Sequence, residues 1–196
     1  MSSRDKILAA VKQNQPELRP LPDLTPLVDT FPATVEKFIE LLTFIGGKAH
    51  VIESLDVIPG TLGELAGDSK RIVNLFNGLN ILGAETNIEG VDPHSLENVD
   101  LAIIKAHFGV AENGSVWVTS DLLQQRALPF ITQHLAVVIN YDDIVGTMHQ
   151  AYNRIVDWEY DWAAFIAGPS KTADIEQSLV IGAHGSRSMN VFVLKA

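Results

Sequence analysis

An α/β fold with a mostly parallel sheet flanked by helices is predicted by two features of this chain. The first is a set of short runs that are apolar at consecutive rather than alternate positions, as strands buried on both faces require. Ile72-Val73, Leu135-Ala136-Val137-Val138-Ile139 and Val191-Phe192-Val193 are such runs. The second is the helical spacing of the segments between runs, seen where Val35, Phe38, Leu42 and Ile45 recur every three or four residues. Strands alternating with helices bury both faces of a sheet most readily when helices cover each side.

In chain order, residues 3–13 bring Ile7, Leu8 and Val11 to one face and read as a short helix. Residues 15–30 carry Pro16, Pro20, Pro22 and Pro26. Proline lacks an N–H and restricts the residue before it, so this stretch reads as an extended arm lying on this subunit or a neighbour. Helical spacing begins after Phe31 and ends at Gly46-Gly47. The expected organisation is one α/β domain over residues 1–196, with the helices and arm of residues 1–47 packed on it. Residues 48–52 read as a strand, 61–66 as a short helix, and 71–76 as a strand closed by Asn77-Gly78. Residues 79–95 mix a strand-like Asn80-Ile81-Leu82 with turn formers. Residues 99–105 and 116–119 read as strands joined through Glu112-Asn113-Gly114-Ser115, with antiparallel pairing expected within 105–119. Residues 135–140 form a buried strand, and 142–157 a helix with Ile144, Met148 and Ile155 on its apolar face. Residues 163–167 make a strand stopped by Gly168-Pro169. Ser170 or Thr172 is placed to cap a helix running to about Ile181, with Asp174 and Glu176 in its first turn, where acids suit the dipole. A strand over 190–194 closes the chain and leaves room for a right-handed βαβ crossover from residue 163.

Composition narrows the function. With 46% hydrophobic and 19% charged residues among 196, the chain is an ordinary globular one. Its net charge of −10 repels nucleic acid and acidic membranes. It has no cysteine, so it holds no disulfide, no thiolate zinc and no iron–sulfur cluster on ligands of its own. The first residues are polar, and no stretch approaches the ~18 uninterrupted apolar residues of a membrane span. The expectation is a soluble, cytoplasmic protein. Neither a Gly-x-Gly-x-x-Gly turn nor a P-loop is present, so no standard nucleotide fingerprint identifies a cofactor, whose identity the sequence leaves unknown.

Several positions carry chemistry, each beside a plainer alternative. The turn of Gly168, Pro169, Ser170, Lys171 and Thr172 offers backbone N–H groups, hydroxyls and a cation to an anion, or it simply caps a helix. Glu112, ahead of Asn113-Gly114, is a general base or a surface acid in a hairpin turn. Arg126 can hold a carboxylate through its two-pronged fork, or be solvated. His184 lies between glycines and His107 between apolar stretches, and the six histidines show no metal-ligand spacing. Trp158, Tyr160 and Trp162 fit packing or a partner surface better than a cofactor box.

Three segments together resemble the LUD-domain family. Val99-Asp100-Leu101-Ala102 with Gly109-Val110-Ala111-Glu112-Asn113-Gly114-Ser115 is similar to its central Ala-Glu-Thr-Gly-Ser/Thr turn before a strand. Arg126-Ala127-Leu128-Pro129 ahead of His134-Leu135-Ala136-Val137-Val138 resembles its next segment. Gly168-Pro169-Ser170-Lys171-Thr172-Ala173-Asp174-Ile175-Glu176 with Gly182-Ala183-His184-Gly185 is similar to its C-terminal signature. Asn113 stands where threonine is usual and Ser186 where proline is common, and both suit turns. The resemblance covers roughly residues 98–196. It implies a fold like those of ribose-5-phosphate isomerase, glucosamine-6-phosphate deaminase and CoA transferases. It also implies a part in oxidising L-lactate to pyruvate, alongside partner proteins that carry iron–sulfur clusters. On this basis the candidate catalytic residue is Glu112. The candidate ligand contacts are Arg126, Gly168, Pro169, Ser170, Lys171, Thr172, Asp174, Glu176 and His184, with no metal site. Two readings stay open: a subunit that binds a small carboxylate or other anion at the carboxyl edge of the sheet, and a non-catalytic assembly subunit. A sugar-phosphate or CoA-ester enzyme follows from fold analogy alone.

Overall fold

The computed structural model describes residues 2–28, 31–67, 69–172 and 180–195. Helix α1 (Ser3–Gln13) starts at a capping box: Ser2 Oγ accepts from the Asp5 N–H while the Asp5 carboxylate accepts from the Ser2 N–H. It buries none of its residues. The proline-bearing arm then runs exposed into a single turn, α2 (Thr25–Val28). Helix α3 (Val35–Phe44) is capped by Thr34 and buries Val35, Phe38 and Leu42, the stripe its spacing predicts. Strand β1 (Lys48–Ile52) follows, then α4 (Val57–Ala66), which starts a turn earlier than the sequence suggests.

Strands β2 (Ile72–Asn74), β3 (Leu101–Lys105), β4 (Phe108–Val110) and β5 (Ser115–Thr119) come next. They are followed by the turn α5 (Leu128–Ile131), β6 (His134–Asn140), β7 (Ile144–Val145) and helix α6 (Met148–Ile155). Strands β8 (Ala163–Ile166), β9 (Lys171–Thr172), β10 (Val180–Ile181) and β11 (Ser188–Leu194) complete the chain.

β1, β11, β6, β3 and β2, in that order, form a sheet whose pairings are all parallel. A second sheet, ordered β7-β4-β5-β8, is mixed: β4 pairs with β7 in parallel, while β5 is antiparallel to both β4 and β8. The largest core lies between α3 and these sheets, around Phe38, Leu42, Ile104, Val116, Val137 and Val191. α4 covers the other face of the parallel sheet with Ile58 and Leu62 against Ile103, Val138 and Phe192. α6 covers the outer face of the mixed sheet with Ala151 and Ile155 against Phe108, Val110 and Trp117. Both faces of the parallel strands are therefore dry, which is why β6 and β11 read as unbroken apolar runs.

Three local expectations are corrected. Residues 142–147 are not helical: Ile144-Val145 pairs with Gly109-Val110, and α6 begins only after Thr147, whose Oγ1 and Gln150 form a capping box. No helix reaches Ile181. The Ser170 N–H is taken by the Ser186 carbonyl, and Lys171-Thr172 pairs antiparallel with Val180-Ile181, β-branched residues suited to a strand. The remainder of the expected helix, with Asp174 and Glu176, lies outside the described residues. Nor is there a βαβ crossover from residue 163, because β8 and β11 belong to different sheets.

Candidate functional site

The candidate residues fall in two places. The first is at the amino edge of the parallel sheet, where β1, β6 and β11 begin. This is not the expected carboxyl edge, because the 168–172 turn is bonded to the residues that lead into β11, and these to the residue before β6. Ser170 donates its N–H to the Ser186 carbonyl (2.8 Å) and accepts at its own carbonyl from Gly182 (3.1 Å). Arg187 donates to the Gln133 carbonyl, at the entry to β6 (2.8 Å). The turn of Gly168 and Pro169 is buried against the end of α3, where a Cβ on Gly168 would stand 3.0 Å from the Ile45 carbonyl oxygen. Lys171 lies over Gly46, and Thr172 Oγ1 donates to the Val180 carbonyl (3.2 Å). His184 is exposed on the turn between Gly182 and Ser186.

Glu112 joins this neighbourhood through α3. Its β4–β5 turn is fixed by a Gly114 N–H bond to the Val110 carbonyl (2.9 Å) and by a Ser115 N–H bond to Asn113 Oδ1 (3.0 Å). Gly114 packs on the backbone of Leu42, and the Glu112 N–H donates to Gly146 (3.0 Å). The Glu112 turn and the 168–171 turn thus touch the same C-terminal half of one helix. Both are held by main-chain bonds, and Glu112 itself is half-buried.

Arg126 stands elsewhere. It is exposed and lines an open cleft of about 650 Å³ with Ser120, Asp121, Gln124, Gln125 and Asp161. A second cleft of about 530 Å³ shares Ser120, Asp121 and Asp161 with it and continues to Trp158, Glu159 and Tyr160. The two make one groove along the end of β5. Trp158 and Tyr160 are the aromatic residues of its lining, and Tyr160 meets the buried Trp117 edge-on at 5.5 Å, which in turn packs on Phe165 at 4.4 Å. Trp117 is 5% exposed, and its Nε1 donor has no partner among the described residues, a cost native structures rarely carry.

Beside this groove runs a polar chain that sequence reasoning missed. Thr119 Oγ1 donates to the Asp121 carboxylate, and His107 Nε2 lies 2.6 Å from the same oxygen. Asp121 Oδ2 is 3.9 Å from His107 Nε2, and Trp158 meets the imidazole edge-on at 4.9 Å. Burial lowers the His107 pKa. Lys105 and Arg154 push the same way, while Asp121 and Asp143 oppose. The signal for this chain was in the hairpin register. Asn113-Gly114 sets Val110 opposite Ser115, which brings residue 107 level with 118 and 119.

A five-stranded parallel sheet and a mixed second sheet, with a polar groove along the end of β5, define an α/β protein. A LUD domain profile matches residues 88–194, more than half of the chain. The chain belongs to the LUD domain family. It is 29% identical over 174 residues to lactate utilization protein C of Bacillus pumilus, an alignment covering 82% of this chain and 69% of that one. Lactate utilization protein C of Deinococcus radiodurans is 24% identical over 159 residues, covering 76% and 74%. That of Oceanobacillus iheyensis is 28% identical over 104 residues, covering 50% of this chain and 45% of its own. The crystal structure of a DUF162 family protein from Deinococcus radiodurans superposes with a TM-score of 0.61 at 17% identity, over 89% of this chain and 99% of that one. That likeness is one of fold.

Proposed function

We propose that this chain is a component of a lactate utilization system, binding a small hydroxy- or oxo-carboxylate and supporting oxidation of L-lactate to pyruvate. The two electrons removed from lactate pass to partner proteins that carry the iron–sulfur clusters, since this chain has no cysteine to ligate one, and the two protons are released to solvent. The name shared by its relatives supports the pathway. The observation that carries the ligand is Arg126, a guanidinium exposed at the mouth of a cleft large enough for such an acid. Its planar fork matches a carboxylate as the single charge of a lysine does not.

A second reading, a non-catalytic assembly subunit, draws on α1. That helix is capped at its start yet leaves Ile7, Leu8 and Val11 exposed, a face suited to a partner protein. Thermal-shift titration of the wild type and Arg126→Ala with L-lactate, pyruvate and inorganic phosphate separates the readings. Saturable stabilisation by the carboxylates, lost in Arg126→Ala, is expected. No shift with any of the three, together with a stable complex with cluster-bearing partners that fails once residues 1–14 are removed, would favour assembly.

A further inference from the structure

We propose that α1 is an exchanged arm: it lies on the outer face of α6 and the 157–161 turn of a second copy of this chain, which returns its own α1 in the same way. A segment and a surface each lack a cover. Every described residue from 2 to 26 is exposed, and Ile7, Leu8, Val11, Leu18, Leu21 and Leu24 are among them. α1 has 11 residues and buries none. An isolated helix shorter than ~12–15 residues is marginal in water, so a helix of this length persists by resting its apolar face on something.

The surface is on the body. α6 turns Ala151 and Ile155 inward and leaves Tyr152 and Val156, one turn apart, exposed at 60% and 75%. Rings continue the patch: Tyr152 lies 5.9 Å from Phe165, Phe165 4.4 Å from Trp117, and Trp117 5.5 Å from the exposed Tyr160. Asp157, Glu159 and Asp161 are exposed on the turn that carries Trp158 and Tyr160, and they make the patch acidic. Arg154, the cation on α6, is already paired with Asp143 at 2.6 Å.

Charge and chain direction select the occupant. Arg4, Leu8 and Val11 fall at i, i+4 and i+7 with Ile7 beside them, and Lys12 flanks that stripe. Asp5, the acid of the helix, is held in the capping box. An apolar stripe with a cation at each end thus matches an apolar patch set among three acids. The arm meets its own body at Leu24, which lines a cleft with His149 and Tyr152. Pro16, Pro20 and Pro22 keep the chain between that point and α1 extended, and oppose the reversal that would lay α1 on its own patch. A copy related by a twofold axis meets the helix with no reversal, and the contact is then self-complementary. Residues 2–24 of each copy match the ~20–30 residues a side of a standard interface. The half of the groove lined by Trp158, Glu159 and Tyr160 is roofed by the neighbour in this arrangement, and the Arg126 half stays open. The inference is independent of the carboxylate reading, and it gives to a second copy the helix that the assembly reading gives to another protein.

Sedimentation velocity of the full chain tests it. The wild type is expected to be a dimer, and Leu8→Glu a monomer that still unfolds cooperatively in urea, because α1 adds nothing to the core of its own subunit. Arg4→Glu with Lys12→Glu, and separately Asp157→Lys with Glu159→Lys, should each weaken dimerisation at least about tenfold. An equimolar mixture of those two double variants should recover the dimer, since both contacts of the mixed pair again join opposite charges. A monomeric wild type overturns the inference, as does a dimer that none of these variants weakens or a mixture that stays monomeric while both proteins are folded. A monomeric wild type that binds vesicles of acidic lipid, and loses them in Leu8→Glu, would overturn it in favour of a membrane-surface helix.

Discussion

Replacing Gly114 by alanine tests how the Glu112 turn is held on the helix beneath it. Gly114 has φ +67°, and a Cβ there would lie 2.6 Å from Leu42 N and 2.7 Å from Leu42 Cα. Carbon and nitrogen sit comfortably at about 3.5 Å, so hairpin and helix would have to part by about 1 Å. The left-handed backbone costs a residue with a Cβ about 1–2 kcal/mol, and crowding a packed interface a further ~1–3, against ~0.4–1 returned by a stiffer unfolded chain. The sum is a loss of about 3 kcal/mol. Gly83 is the control, because its φ of +80° is similar but a Cβ there meets nothing within 4 Å. Alanine at position 83 should cost about 1 kcal/mol, from the backbone alone. Urea unfolding of the two variants, with unchanged slopes, measures the difference of about 2 kcal/mol directly. Equal losses at the two positions would show that the turn does not rest on Leu42.

Other variants probe separate parts of the account. Phe38→Ala empties a fully buried site that packs against Gly109 and should lower stability by about 3–5 kcal/mol in urea unfolding. Thr147→Ala removes the capping box of α6 and should cost about 1 kcal/mol by the same measurement. Asp100 accepts from the Arg71 and Lys70 N–H groups at 3.0 and 2.7 Å, and these bonds hold its pKa below the usual carboxylate value. Its stabilising contribution is therefore full above the ordinary carboxylate range and is lost as pH falls through the depressed value. The urea midpoints of the wild type and Asp100→Asn should differ at pH 6 and converge in acid; a constant gap would refute the assignment.

The parallel sheet was legible because burial on both faces writes itself as unbroken apolar runs, and β6 and β11 fall where those runs lie. The Asn113-Gly114 hairpin was legible for the same kind of local reason. What escaped was long-range. Ser170 and Thr172 carry the side chains of a helix cap, yet a main-chain bond from Ser170 to the Ser186 carbonyl and pairing of Thr172 with Val180 decide their conformation. Ile144-Val145 has helical spacing with Met148, and only its fit beside Gly109 makes it a strand. At the site, the single residues were visible but their company was not. Arg126 faces Asp121 and Asp161 across a groove rather than the 168–172 turn, because α5 and the loop after β5 carry it there. His107 looked isolated in sequence, since its partners are brought across by the hairpin register.

The most direct measurement is a crystal structure of the protein soaked with pyruvate. The carboxylate is expected on the Arg126 guanidinium, within the groove that Asp121 and Asp161 also line. Pyruvate bound instead against the 168–172 turn and Glu112, with Arg126 untouched, would contradict it.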